Sequence, residues 1–451
     1  MNQAPPTAPP NGQAHSAPRP QLQQQAQSHY TLALLTLMSA VAFMDRQILA
    51  VLIQPVKAEF GLSDLQIGLI TGLGFALSFA MLGVPLGRLA DRGRHRRLIV
   101  ACRSLGGLLA ATGAAAMGFW SLMLSRCGGA VSDAGAGPAS MALLAELYPV
   151  EQRSRVLSVF GTGSSLGALL ALLLGAWIAQ QWGWRWTLAI VGASSIALAL
   201  LLRLSVAEPQ SASDASNAGR AGQQPGAVRE LLALPLTRWL LLGAACAFLA
   251  GYGFGTWNFS LLVRRHGLSL AQAGMVSAGA ALVSVLGGLC SGALTDRLAR
   301  RDPRWQIGMP ALGLLLATPC GLAYLLLPPG PLLLAGLLIW AYAFFVIWWV
   351  APVFAALSLV VGPARRATAS ALILLTGALI GNGLGPIAAG WLSDMLTRTL
   401  ALSGPGDGLR WALVLMVLTL LPGALAFVMA LRSYGPALQR ARADAALRVQ
   451  A

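Results

Sequence analysis

Twelve apolar stretches, each long enough to cross a lipid bilayer, restrict what this 451-residue chain can fold into. They run over residues 31–55, 64–88, 97–117, 120–146, 155–179, 185–204, 237–262, 269–295, 307–327, 331–357, 367–394 and 410–433. A helix needs about 20 residues to cross about 30 Å of hydrocarbon. Within hydrocarbon each backbone N–H and C=O must find a partner in its own segment, so runs of this length become helices. Composition agrees, with 56% hydrophobic and 10% charged residues, where a soluble domain carries about 25% charged. The fold class expected is an all-α membrane protein of twelve transmembrane helices.

The longest break, 205–236, is polar and rich in Ser, Ala, Gly, Gln and Pro. It reads as a linker between a bundle over 30–204 and a second over 237–434. Residues 1–29 are rich in Pro, Gln and Ala and lack apolar periodicity, so a disordered tail is expected there; 435–451 form a second tail. The leading residues carry no positive charge and no short apolar core follows them, so no cleaved signal peptide is expected. Arginines set the orientation. Arg88, Arg92, Arg94, Arg96 and Arg97 follow the second segment, Arg153 and Arg155 the fourth, Arg297, Arg300, Arg301 and Arg304 the eighth, Arg365 and Arg366 the tenth. The turns after the third and ninth segments have no Lys or Arg. Even-numbered segments therefore end in the cytoplasm, with both termini there. Lys57 and the Arg264-Arg265 pair fall on the outer side as exceptions. The net charge of +16 follows from these loops rather than from a nucleic-acid surface, since no separate basic domain exists to carry one.

The fourth segment is interrupted by Ser125-Arg126-Cys127-Gly128-Gly129-Ala130-Val131-Ser132-Asp133, and the first by Asp45-Arg46. Arg126 and Asp133 are seven apart, on one helical face and roughly 10 Å apart along the axis. A charge at mid-bilayer costs at least about 2.5–3.5 kcal/mol, so such residues face a bundle interior and act on solutes or protons. A carboxylate in a low-dielectric cavity holds its proton more tightly, and a nearby arginine loosens it. An arginine moving between solute and carboxylate would thus switch proton binding. Asp45 and Asp133 are the candidate proton-coupling residues. Arg46 and Arg126 are the candidate anion holders, because the guanidinium fork matches carboxylate or phosphate. The structural alternative is a permanent ion-pair network locking the two helices. Arg103, near the start of the third segment, reads as an interfacial snorkelling residue.

The C-terminal half has no acidic residue deep in a segment. Its candidate cavity residues are Tyr252, Trp257, Asn258, Tyr342, Trp348, Trp349 and Asn382, although aromatics in membrane helices are commonly interfacial. A charged half facing an aromatic half suits an amphipathic solute with an anionic head and an apolar tail. Gly381-Asn382-Gly383-Leu384-Gly385-Pro386 reads either as a gate hinge or as tight helix packing. No enzyme constellation, cofactor site or metal-ligand spacing is found. Cys102, Cys127, Cys246, Cys290 and Cys320 are scattered through apolar runs, and the four histidines lie in the tail or in loops. No Gly-x-x-x-x-Gly-Lys loop is present, so ATP is not the expected energy source.

A repeat supports two pseudo-symmetric six-helix bundles. Gly87-Arg88-Leu89-Ala90-Asp91-Arg92-Gly93-Arg94 follows the second segment, and Gly292-Ala293-Leu294-Thr295-Asp296-Arg297-Leu298-Ala299-Arg300 the eighth. A weaker echo, Gly390-Trp391-Leu392-Ser393-Asp394, closes the eleventh. This duplicated motif resembles the signature loop of the major facilitator superfamily. The resemblance implies that the loop latches the cytoplasmic side in the outward-open state, with Asp91 capping a neighbouring helix. Arg92, Arg94, Arg153 and Arg297 are then gate residues, with Glu146 and Glu151 as expected acidic partners. Within the superfamily, four stretches are similar to the spinster-type branch: Phe43-Met44-Asp45-Arg46-Gln47, Pro55-Val56-Lys57-Ala58-Glu59-Phe60-Gly61-Leu62-Ser63-Asp64, Leu124-Ser125-Arg126 through Asp133, and Leu147-Tyr148-Pro149-Val150-Glu151-Gln152-Arg153-Ser154-Arg155. That branch usually has Glu where this chain has Asp133, one methylene shorter.

The resemblance implies a monomeric, proton-coupled secondary transporter working by alternating access on a lysolipid-like or other amphipathic anion. A proton-antiporting drug or metabolite exporter, and a lipid scramblase-like pathway or receptor, remain alternatives; the buried charges favour a carrier. High Ala, Gly and Arg with a single Lys point to a GC-rich bacterium and its inner membrane. The expected partners are the solute, protons and membrane lipids.

Overall fold

The computed structural model describes residues 19–90, 93–208, 227–361, 365–402 and 404–450, and within them every regular element is a helix. Twelve long helical segments follow one another. They are α1 (Arg19–Phe60), α2 (64–90), α3 (His95–Thr112), α4 (Phe119–Leu147), α5 (150–182) and α6 (Trp184–Ser205), then α7 (Pro235–His266), α8 (Leu270–Ala299), α9 (Trp305–Leu326), α10 (332–360), α11 (366–399) and α12 (407–450). Eleven are long and apolar enough to cross a membrane. The exception is α4, whose Arg126, Asp133 and run of Gly, Ala and Ser lower its hydropathy.

The helix boundaries have local causes. Gly61 (φ +62°) and Gly267 (φ +64°) take the left-handed conformation that ends α1 and α7. Two residues later Ser63 and Ser269 open α2 and α8 with the same capping box. Ser63 Oγ accepts from the Gln66 N–H at 3.1 Å, and Gln66 Oε1 accepts from the Ser63 N–H at 2.9 Å. The Ser269–Gln272 distances are 3.3 and 3.0 Å. Gly-Leu-Ser-x-x-Gln is thus a second repeat six helices apart. Single π turns interrupt α2 at Leu69–Leu73 and α5 at Ala171–Gly175, and a longer π-helical stretch interrupts α11 at Gly377–Leu384.

Some expected boundaries move. Helix α1 begins at Arg19, inside the expected N-terminal tail, and α12 runs on through Pro436 to Gln450, across the expected C-terminal tail. Within the expected linker, Ala227–Ala233 is a short helix and α7 starts at Pro235. The remainder of the N-terminal tail (1–18) and residues 209–226 lie outside the described residues.

Within each half, glycine seams bring helices into backbone contact. A Cβ on Gly106 would lie 2.7 Å from the Gly128 carbonyl oxygen, joining α3 to α4; one on Gly107 would lie 2.8 Å from that of Gly192, joining α3 to α6. The halves meet along α1 with α7, α2 with α11, and α5 with α8. The connections define two faces. One, rich in arginine, holds 93–94, 148–149, 300–304 and 365; the opposite face holds 61–63, 183, 267–269, 400–402 and 404–406. At the opposite face α2 and α11 touch. A Cβ on Gly68 would lie 2.5 Å from the Pro386 carbonyl oxygen, and one on Gly390 would lie 2.8 Å from the Asp64 carbonyl carbon. Toward the arginine-rich face the same helices part. Leu77, Met81, Leu374 and Leu375 are exposed, and Gly83 and Gly87 face open space.

Candidate functional site

The charged residues of α1 and α4 meet, but they pair crosswise. Arg126, buried on α4, donates from Nη1 to the Asp45 carbonyl oxygen at 2.9 Å and from Nη2 to Asp45 Oδ1 at 3.1 Å. Arg46 on α1 donates from Nη2 to Asp133 Oδ2. Glycine makes the approach possible: a Cβ on Gly129 would lie 3.0 Å from Asp45 Oδ2. The Arg46 guanidinium also lies over two rings, 4.4 Å from the centre of Phe75 and 5.2 Å from that of Phe43, a cation–π arrangement.

Arg103 corrects the sequence reading. Instead of snorkelling to an interface it is buried, 3% exposed, with Nη1 2.8 Å from Ser132 Oγ and 3.6 Å from Asp133 Oδ1. Asp133 therefore lies between two arginines from different helices. A carboxylate only 18% exposed needs such compensation, because taking most of it from water is costly without a paired charge.

Beside the cluster a cavity of about 560 Å³, part of it open solvent, lies between the halves. Asp45, Arg46, Gln47, Thr71, Phe75 and Arg126 line it from the N-terminal half, and Tyr252, Thr256 and Asn382 from the other. Asp133 and Arg103 stand behind this wall. Of the expected C-terminal residues, Tyr252 and Asn382 reach the cavity. Trp257 does not: it is fully buried and its Nε1 donates to the Pro386 carbonyl at 2.9 Å, tying α7 to α11. Asn258 and Tyr342 are also buried away from it, the Tyr342 ring 4.5 Å from that of Phe254. Trp348 and Trp349 pack inside the C-terminal half, Trp349 edge-on against Phe248. Gln47, Thr71 and Thr256 are uncharged polar residues in apolar runs and carry little signal in the sequence. The Gly381–Pro386 stretch overlaps the π-helical part of α11 and packs tightly: a Cβ on Gly381 would lie 2.6 Å from the Tyr252 ring.

At the opposite face a polar lock closes the cavity. Asp64, at the start of α2, accepts both Arg264 nitrogens from α7, at 2.8 and 2.7 Å. It also accepts from Ser393 Oγ at 2.6 Å and from Lys57 Nζ. Asp394 of α11 accepts the backbone N–H groups of Asp64 and Leu65 at 3.1 and 2.8 Å. A carboxylate there caps the free donors of the α2 N-terminus and opposes its dipole. The basic residues that seemed out of place on this side are thus neutralised; Arg265 likewise meets Asp407 at 2.8 Å, and Arg185 meets Glu59 at 2.5 Å.

The arginine-rich face is not locked. Among the described residues no ion pair joins the two halves there. Asp91 and Arg92 lie outside the described residues, as does the Glu151 side chain. Glu146, expected to pair with the gate arginines, instead faces His95 Nε2 at 3.0 Å within its own half. Arg153 Nε donates to the Tyr148 carbonyl at 3.3 Å. Arg94 precedes α3, and Asp296 and Arg297 are exposed near the end of α8.

Comparison with known proteins agrees with this architecture. The profile of the Major Facilitator Superfamily matches residues 35–381. An MFS-type efflux pump of Mycolicibacterium smegmatis is 34% identical over 406 residues, covering 89% of this chain and 92% of the pump. The sphingosine-1-phosphate transporter SPNS2 of Danio rerio is 26% identical over 421 residues, covering 86% and 80%. A crystal structure of a bacterial homolog to the human lysosomal transporter Spinster, inward-facing and unoccupied, superimposes with a TM-score of 0.79 at 28% identity, covering 91% and 98%. Two six-helix halves around a charged central cavity, locked at one face and parted at the other, belong to a solute carrier rather than an enzyme: the chain is an integral membrane transporter of the major facilitator superfamily, similar to its spinster-type branch.

Proposed function

We propose that this protein is a proton-coupled carrier for an amphipathic organic anion of lysolipid type, working by alternating access in a bacterial inner membrane with both termini in the cytoplasm. In that orientation the arginine-rich face is cytoplasmic, and the conformation described is inward-open. The observation that carries the reading is the double position of Arg46. It lines the cavity while paired with Asp133, so an anionic head group and a proton-binding carboxylate compete for one guanidinium. Arg126 and Asp45 form a parallel pair on the same wall. The aromatic ring of Tyr252 across the cavity suits an apolar tail. One chain encloses the whole cavity, so a monomer suffices.

The likeness to an efflux pump favours a second reading in the same frame, export of a metabolite or drug in exchange for protons. Reconstituted protein and a fluorescent lysophosphatidylglycerol, compared with small hydrophilic anions under an imposed pH gradient, separate the two. Lysolipid movement driven by the gradient supports the first; movement of hydrophilic anions alone keeps the carrier and overturns its substrate. Asp133→Asn should abolish pH-driven transport while the protein stays folded, and unchanged transport in that variant would sink the coupling assignment.

A further inference from the structure

We infer that Arg103 is a resident counter-ion: it keeps Asp133 compensated when Arg46 turns to the solute, and it gives the central cluster a surplus of one positive charge that selects anionic solutes. This rests on the carrier reading above and deepens it by naming what sets the charge preference.

The charge count is direct. Arg46, Arg103 and Arg126 face Asp45 and Asp133. The elements packed around them add no other charge at that depth. Helix α2 has no charged residue between Asp64 and Arg88, α5 none from Val156 to Trp182, α7 none between Arg238 and Arg264, and α11 none between Arg366 and Asp394. Three cations and two anions leave one positive charge in a region where water screens poorly, and such a field extends beyond direct contact.

Position separates the roles. Arg46 and Arg126 line the cavity, whereas Arg103 lies behind Asp133, 3% exposed, and touches no cavity surface. Arg103 is fixed by its bond to Ser132 Oγ, while Arg46 has a second partner in the Phe75 ring and can leave Asp133 without losing all support. If Arg46 were the sole cation on Asp133, releasing it to the solute would leave a largely enclosed carboxylate, 18% exposed, without a partner, a state that is costly to reach. With Arg103 in place Asp133 keeps one cation throughout. Arg103 is thus a positioning and specificity residue that never meets the solute.

The test uses purified protein in nanodiscs and two probes, fluorescent lysophosphatidylglycerol with one negative charge and a fluorescent monoacylglycerol with none. A unit charge about one helix diameter (about 10 Å) from the head group, at an effective dielectric near about 20, alters binding about tenfold. Arg103→Gln should therefore weaken the anionic probe about tenfold and leave the neutral one unchanged, with Arg103→Lys close to wild type. Arg103→Gln combined with Asp133→Asn restores the surplus charge and should restore anion binding. Equal weakening of both probes, or no recovery in the double variant, would overturn the inference in favour of a packing role. If wild-type protein binds neither probe, the substrate reading fails and thermal unfolding decides the role of Arg103. Arg46→Gln and Arg103→Gln each leave Asp133 one cation, but together they leave none. A loss in the combined variant greater than the sum of the two supports the shared counter-ion, and simple additivity refutes it.

Discussion

Replacing Asp394 by Asn should shift the protein away from the conformation described here. The Asp394 carboxylate accepts two backbone N–H groups at the start of α2, at 3.1 and 2.8 Å. These bonds cross between the halves, so they are lost when this face opens and water replaces them. A hydrogen bond to a charged group contributes about 1.5–3 kcal/mol net, and an N-cap about 1 kcal/mol. Asparagine keeps one acceptor oxygen and loses the charge that opposes the helix dipole. A differential loss of about 2 kcal/mol follows, which changes the ratio of the two conformations about 30-fold. Spin labels at residues 152 and 300, both exposed on the arginine-rich face, would report the separation of the halves by pulsed electron resonance. The long-distance population should shrink in Asp394→Asn and a short-distance one should grow. An unchanged distance distribution in a folded variant would show that the cap does not distinguish the two states, and the polar lock would then rest on Asp64 with Arg264 and Ser393.

Two further outcomes follow from the site. Arg46→Lys keeps the charge but loses the fork and the ring stacking on Phe75, so affinity for an anionic amphiphile should fall about tenfold with little change in unfolding temperature; isothermal titration with lysophosphatidylglycerol measures it. Trp257→Phe leaves the Pro386 carbonyl without its buried donor and should cost about 1–3 kcal/mol of stability, read as a lower midpoint in a thermal melt, without changing solute charge preference.

What could be read from the sequence was what depends on one segment at a time. Segment length and hydropathy need no partner, so the helices were legible. The arginine bias is a count over loops, and Arg126 and Asp133 share a face by spacing alone. Pairing was not legible. In sequence Asp45 is next to Arg46, yet the structure joins Arg126 to Asp45 and Arg46 to Asp133, because α1 packs on α4 in a register no local pattern states. Arg103 was misread through a boundary. Helix α3 begins at His95, which puts Arg103 about 12 Å along the axis from that end, too deep for its head to reach water easily. Asp64, Arg264 and Asp394 are far apart in sequence and converge only when the halves close. The Gly-Leu-Ser-x-x-Gln repeat, by contrast, stood in the sequence at 61–66 and 267–272 and would have placed two helix starts at once.

The glycines separate what holds a half together from what holds the halves in one state. Gly68 and Gly107 are both in backbone contact with a neighbouring helix, but the neighbours differ. Gly107 faces Gly192 inside the N-terminal half, where a Cβ would lie 2.8 Å from a carbonyl oxygen, a contact that persists if the half moves as one rigid body. Gly68 faces α11 of the other half, where a Cβ would lie 2.5 Å from the Pro386 carbonyl oxygen and 2.9 Å from Ile387 Cα. That contact exists only while this face is closed. Both positions take an added methyl group at a cost of about 1–3 kcal/mol, the usual range for overpacking. For Gly107→Ala the cost falls on all folded states and should lower the unfolding temperature while leaving the spin-label distances unchanged. For Gly68→Ala it falls on the closed face alone, and the protein can avoid it by opening. Its melting temperature should therefore move less, while its distances move in the same direction as those of Asp394→Asn. The reverse pattern, a destabilised Gly68→Ala with wild-type distances, would mean that the α2–α11 seam survives the transition and that the halves pivot about it.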